Sequence, residues 1–412
     1  MKVINNGFIL VLIRVIQFGF PLLIYPYFIS LFGLDKFGEL SFWLSISYFF
    51  GTLVSLNMES HASQQIYEFK NQELLLKRSI SIPLIIRLTV FIISLIGWFV
   101  FSVIYSSDFY FFILVFFSCY PLISIGLQPN FYFLAMGDYA LSLKSMIFEK
   151  CMFLILIYFI IKDGDAYYLL PLCYFISNLI SISLVYFNII IKNDLDIASY
   201  LTMDNSVIFK KYMIISTRLL VGKFTQIHTS LSKSIIGMLF NYEMVAIYDI
   251  AEKIVNATKV PLVIVFQATY SKISMNGANT IKLFLVLLSM SFMAYLGLSN
   301  IADFLLNYFL SGTVSNRDIT SFSLSTLSLI IFSVPFMQTF GAAYIVKNVG
   351  ANIYANIMIV SNCISMLSLG VICFLGVTFP IYIYWVVFAE FLFALLCTIF
   401  VYYQVCWSKG CD

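Results

Sequence analysis

Apolar runs about as long as a bilayer crossing recur along the whole chain, separated by short polar stretches. A helix rises about 1.5 Å per residue, so roughly twenty apolar residues cross the hydrocarbon layer. By that measure the pattern predicts spans at 7–32, 38–57, 80–105, 109–135, 145–162, 166–191, 211–240, 244–269, 281–306, 319–342, 353–377 and 379–405. The last two are joined by a tight turn near Gly376 and Pro380. Two polar stretches are longer than the others. The first, 58–79, reads as an amphipathic helix lying on the membrane. The second, 192–210, follows the sixth span and divides the helices into six plus six. The expectation is an all-α polytopic membrane protein of about 12 transmembrane helices, with lobes 1–197 and 198–412 and no soluble domain.

Composition agrees with that class. Hydrophobic residues make up 61% of the 412 residues and charged residues 10%, against about a quarter charged in soluble proteins. Mean hydropathy is +0.97. Aromatic residues reach 18%, as expected where Tyr and Trp line membrane interfaces. A net charge of +3 gives no support to a nucleic-acid partner. Cys119, Cys151, Cys173, Cys363, Cys373 and Cys397 lie in apolar stretches without metal-ligand spacing, so free thiols and no metal are expected. The N-terminus runs from Lys2 into apolar sequence without a small-residue cleavage site, and reads as the first span.

Orientation follows from the loop cations. With the N-terminus inside, inner segments hold Lys2, Lys70, Lys77, Arg78, Lys144, Lys150, Lys192, Lys210, Lys211, Lys272, Lys282, Lys347 and Lys409. Outer loops hold only Lys36, Lys162 and Arg317. Both termini are therefore expected in the cytoplasm.

Seven cations fall inside spans: Arg14, Arg87, Arg218, Lys223, Lys233, Lys253 and Lys259. Each costs about 2.5–3.5 kcal/mol at a helix centre. Arg14 and Arg87 sit in the cytoplasmic third of their helices, where snorkelling is the mildest reading. In the seventh span, Thr225, Gln226, Thr229, Ser232 and Lys233 lie within about 80° of Arg218 at 100° per residue, and Lys223 and His228 flank that arc. In the eighth, Asp249, Glu252, Lys253, Asn256, Lys259 and Gln267 share a face of about 120°. Asp249 and Lys253 are spaced for an i,i+4 ion pair. The two helices carry five cations, Arg218, Lys223, Lys233, Lys253 and Lys259, against Asp249 and Glu252. Such a face belongs against water or a binding cavity, and an excess of Lys and Arg suits an anionic, phosphate-bearing guest. Arg14, Gln226 and Asn256 join the candidate substrate-binding residues. Asp249, Glu252 and Glu390 are candidates for ion coupling. The alternative is a structural network closed by acids on other helices. No catalytic motif, nucleotide-binding loop or cofactor signature occurs, which excludes an ATP-driven pump within this chain.

The stretch from Pro21 to Leu40 resembles the opening of the Wzx-type O-antigen flippases. The likeness falls on Pro21, Pro26, Tyr27, Phe32, Gly33, Phe37 and Gly38. Gly33 and Gly38 read as bracketing an outer turn, and Pro21 as bending the helix. An Arg frequent in the family is absent, with Ser30 nearby. The segment from Gln128 (QPNFYFLAMGDY) is similar to the family's close of helix four, with Phe131 in place of Trp. The segment from Glu243 (EMVAIYDIAEKI) is similar to its opening of helix eight, with Ala246 in place of Gly, and QATYSKIS from Gln267 to its close, with Ser271 in place of Pro.

The resemblance implies the multidrug/oligosaccharidyl-lipid/polysaccharide exporter fold, with two six-helix lobes in a V around a central cavity. It implies alternating access in a bacterial inner membrane, on an undecaprenyl-pyrophosphate-linked oligosaccharide held among membrane lipids. A polysaccharide polymerase and a chain-length regulator are its candidate partners. A drug/cation antiporter of the same fold is the rival, and it calls for more cavity acids than this chain carries. From another class, a polytopic O-antigen polymerase calls for a large outer loop, and the loops expected outside are short.

Overall fold

The computed structural model describes residues 2–56, 58–196, 212, 231–270, 277–310 and 317–409. These form helices joined by turns, with no strand among the described residues. Eight helical stretches among them are long and apolar enough to cross a membrane. The chain is an all-α, multi-pass membrane protein. Ile104, Met293 and Phe374 expose most of their apolar surface on these helices, which is the face expected of helices surrounded by lipid rather than water.

Helix α1 runs Lys2–Ser55, long enough for two crossings. One residue within it departs from helical geometry, Gly33, at φ 83° and ψ 166°. That conformation strains any residue with a Cβ, so the break falls on glycine. The turn therefore needs Gly33 alone. Gly38, expected to bracket the turn, is helical instead. A Cβ there would lie 1.7 Å from the Tyr242 carbonyl oxygen and 3.2 Å from the Ala246 nitrogen. Its missing side chain lets two helices touch backbone to backbone. The first and third stretches that carried the family resemblance meet at this contact.

The chain divides into two compact units. The first comprises Met1–Ile16 and Glu39–Phe224, and the second Gln17–Gly38 and Thr225–Asp412. In the first unit follow α2 (Glu59–Glu68), α3 (Glu73–Tyr105), α4 (Phe109–Phe117), α5 (Asn130–Met136), α6 (Tyr139–Ile160) and α7 (Leu170–Lys192). The stretch 58–79 is not one helix on the membrane. It holds only the short α2, and α3 already begins at Glu73. Helix α2 packs against α5 with Ala62 and Ile66 fully buried, so its apolar face meets protein.

The span expected at 109–135 is broken. After α4 comes a π-helical stretch, Leu122–Leu127, then an extended turn at Gln128 and Pro129 before α5. Pro121 and Pro129 each lack the N–H that a continuous helix would use. Side chains reach the carbonyls at the break: the Tyr186 hydroxyl donates to Leu127 O at 2.8 Å, and Arg87 donates to Gln128 O, which also accepts from the Asn130 N–H at 2.8 Å.

The second unit holds α8 (Ser232–Leu239), α9 (Tyr242–Tyr270), α10 (Gly277–Phe309) and α11 (Arg317–Ser328). Helical backbone continues beyond α11 through a π-helical stretch, Met337–Ile345, to Asn348. Helices α12 (Ala351–Phe374) and α13 (Phe379–Lys409) close the chain, with Gly376 turning at φ 86° between them. Trp385 of α13 donates to Ser365 O of α12 at 3.1 Å, and the Tyr382 hydroxyl to Ser232 O of α8 at 3.3 Å. These bonds satisfy buried polar tips of large aromatic side chains.

Candidate functional site

The polar face expected on the eighth span lies on α9, which is 29 residues long. Such a helix is about 43 Å from end to end, more than the hydrocarbon thickness. Asp249 is 2% exposed, near the start of that face. Lys233, on α8, reaches Asp249 at 2.6 Å and Glu252 at 3.0 Å, with 11% of its side chain exposed. One ammonium thus sits between two carboxylates one turn apart, an arrangement that offsets the cost of burying each charge. The i,i+4 pair expected between Asp249 and Lys253 is not the one formed. Asp249 turns to the neighbouring helix, because Lys233 brings a charge into a site where Asp249 is otherwise sealed from solvent.

Farther along, Lys259 donates to the Asn256 side-chain oxygen at 3.4 Å, a weak bond within one helical turn. Lys253 and Lys259 are both half-buried, and neither has an acidic partner among the described residues. Glu390 of α13 is half-buried and lies within electrostatic reach of Tyr248, which also neighbours Ser232, Glu252 and Tyr382. The structure thus gathers Lys233, Asp249, Glu252 and Glu390 into one region of the second unit and strings Asn256, Lys253 and Lys259 along the same helix.

Arg218, Lys223 and Gln226 lie outside the described residues. Counting Glu390, the described cations Lys233, Lys253 and Lys259 equal the acids Asp249, Glu252 and Glu390 in number. The positive excess expected from the sequence therefore rests on Arg218 and Lys223, which lie outside the described residues. Arg14 is half-buried on α1 and falls in the first unit. Among the described residues no group of three His, Cys, Asp or Glu side chains is placed to hold a metal.

Arg87 does not snorkel. It is 0% exposed, and its guanidinium meets Glu59 of α2 at 3.1 Å, the Gln128 carbonyl, and the face of Phe131 at 5.0 Å. The charge is spent inside the protein because the helix break at Gln128 offers a carbonyl and α2 brings a carboxylate. Sequence reasoning missed this site. Glu59 reads as one more polar loop residue until α2 folds back onto α5.

Solved structures share this architecture. An inward-facing multidrug resistance MATE family transporter of the MOP superfamily superposes with a TM-score of 0.72, at 13% identity over 95% of each chain. An outward-facing one gives 0.57, at 15% identity over 98% of this chain and 95% of the other. A MOP superfamily transporter from Pyrococcus furiosus, described by a binding pocket of reverse polarity that suggests a different function, gives 0.53 at 12% identity, over 98% and 91% of the two chains. Identities this low establish the fold alone. No curated protein matches the sequence. With its helices and this architecture, the protein is a multi-pass membrane protein that shares its fold with these structures. Residues 3–277 match the polysaccharide biosynthesis protein family, and the chain belongs to that family.

Proposed function

We propose that the protein is a flippase that moves a polyprenyl-pyrophosphate-linked oligosaccharide, of the O-antigen kind, across a bacterial inner membrane. Family membership points to polysaccharide assembly, and the fold is one used for transport. The observation that carries the reading is the pair Lys253 and Lys259, half-buried in a helix whose length would cross the bilayer and without an acidic partner among the described residues. An uncompensated ammonium at membrane depth is costly, and a pyrophosphate is the guest that removes that cost.

In this account Lys253, Lys259, Arg218 and Lys223 hold the pyrophosphate, with Arg14, Lys233, Gln226 and Asn256 completing the polar lining. The prenyl chain stays in lipid. The sugars need a hydrated path, which the hydroxyls and amides of the seventh and eighth spans supply. Lobes 1–197 and 198–412 rock to turn the site outward, and both termini stay in the cytoplasm, as the loop cations require. Asp249, Glu252 and Glu390 are the groups through which an ion gradient drives the cycle. In cells that depend on this chain for surface polysaccharide, Lys253→Gln with Lys259→Gln is expected to reduce that polysaccharide at least tenfold at unchanged protein level. Full polysaccharide from the double variant contradicts the reading.

A further inference from the structure

Two long helices, α6 and α9, are not among the eight stretches apolar enough to cross a membrane. Both have the length of a crossing, at 22 and 29 residues. Charges interrupt both. Those of α9 belong to the site above, and those of α6 do not. Lys150, expected in an inner segment, lies instead near the middle of α6, about 16 Å from its start at Tyr139. That start is tied to the end of α7 by the ion pair of Asp138 and Lys192 at 2.5 Å. A lysine side chain is too short to snorkel from mid-helix. Its ammonium donates to Glu149 Oε1 at 2.6 Å and stands 6.0 Å from the Tyr174 ring centre. Lys150 keeps 22% of its side chain exposed and Glu149 16%. That surface does not point at lipid. At 100° per residue the exposed Leu154, Ile155, Tyr158 and Phe159 occupy an arc of about 140°. Glu149 and Lys150 fall outside it, on either side of the buried Phe153 and Ile157. The seam with α7 is polar as well. The Ser145 and Ser181 hydroxyls lie 2.7 Å apart, and the buried Asn178 side chain donates to Tyr174 O.

We propose that the Glu149–Lys150 pair is a sugar-binding site of the first unit, taking hydroxyls of the oligosaccharide. This rests on the flippase reading and adds to it a place for the sugars. The pair joins adjacent residues of one helix, so it ties no two elements together. A withdrawn ion pair also adds little stability over apolar residues of the same size. A structural role therefore explains it poorly. A matched pair carries no net charge, so it makes no demand for a phosphate, unlike Lys253 and Lys259. What it offers is an acceptor and a donor side by side. Sugar hydroxyls both donate and accept, and two neighbouring ones match that arrangement. Among the described residues Glu149 is bonded through one oxygen, which leaves the other for a guest. Hydrogen bonds to ionised groups are the strong ones, which suits a guest that gives up water to bind. The surroundings are fixed in advance. Tyr174 stacks on Phe153 at 3.6 Å and on Tyr120 at 4.7 Å, so the wall beside the ammonium is rigid.

The test is equilibrium binding to the full-length protein in lipid nanodiscs, with two probes. One is the undecaprenyl-pyrophosphate-linked oligosaccharide purified from cells that make this protein, and the other is undecaprenyl pyrophosphate without sugar. The wild type is expected to bind the first at least tenfold more tightly. Glu149→Leu with Lys150→Met removes both charges at similar size, so neither is left alone. This double variant is expected to bind the two probes equally, with the wild-type affinity for the bare pyrophosphate, which also shows that it is folded. A wild type without preference, or a double variant that keeps the tenfold preference, overturns the sugar site and leaves the flippase reading standing. A double variant that loses both probes alike overturns the assignment to sugar as well. A wild type that binds neither probe overturns the flippase reading and this proposal with it.

Discussion

Arg87 in the first unit and Lys233 in the second are both cations largely withdrawn from solvent, and the protein treats them alike in principle but not in detail. Arg87 is surrounded by three elements, with a carboxylate from α2, a carbonyl at a helix break and an aromatic face. Lys233 is held by two carboxylates from successive turns of one helix. Lys253 and Lys259, on that same helix, have no such acids among the described residues. The contrast separates two uses of charge in an apolar setting. A cation matched inside the fold contributes to the architecture. Under the proposed function, a cation left half-buried without an acid among the described residues serves a guest that arrives from outside.

The contrast is broken most severely by removing a matched cation. Lys233→Ala removes the ammonium that Asp249 and Glu252 share, and the expected loss is about 3–5 kcal/mol of stability. Lys253→Ala removes an ammonium that has no acidic partner among the described residues, so it is expected to cost no stability. Thermal unfolding in detergent separates the two, and equal melting points erase the distinction. Next is Gly38→Ala. The added methyl meets the Tyr242 carbonyl, so overpacking is expected to cost about 1–3 kcal/mol. A variant that melts with the wild type shows that α1 and α9 can part without penalty. The smallest effect belongs to Tyr186→Phe. It leaves Leu127 O without its donor, at about 0.5–1.5 kcal/mol. A larger loss there would mean that the break at Gln128 depends on Tyr186 more than on Arg87.

Much of this was legible in the sequence, for physical reasons. Lipid demands long apolar helices, so most spans declared themselves, although α6 and α9 are not among the eight stretches long and apolar enough to cross, and the turn at Gly376 separated α12 from α13 as expected. The polar face of α9 followed from helical periodicity alone. What the sequence hid were pairings between helices. Asp249 had a candidate partner four residues on, and only the packing of α8 against α9 reveals that Lys233 is nearer. Arg87 read as a snorkelling residue because Glu59, 28 positions away, has no sequence link to it. Gly38 read as a turn residue because a glycine permitting a backbone contact looks the same as one permitting a positive φ. The breaks at Pro121 and Pro129 were visible as prolines, but the run of apolar residues around them outweighed the missing N–H groups. Arg218, Lys223 and Gln226 lie outside the described residues, so their part in the site stands on the sequence and on the proposal.

The central claim is that the α9 lysines serve a pyrophosphate. It is tested most directly in liposomes containing the purified protein and a fluorescent prenyl-pyrophosphate-linked oligosaccharide, with translocation read by quenching of the outer leaflet. The wild type is expected to expose the labelled lipid to the far side. Lys253→Gln with Lys259→Gln is expected to slow that exposure at least tenfold, while a lipid carrying the same sugar without phosphate is barely moved by either protein. Equal rates for wild type and double variant on the pyrophosphate lipid, or equal wild-type rates on the two lipids, would contradict the account.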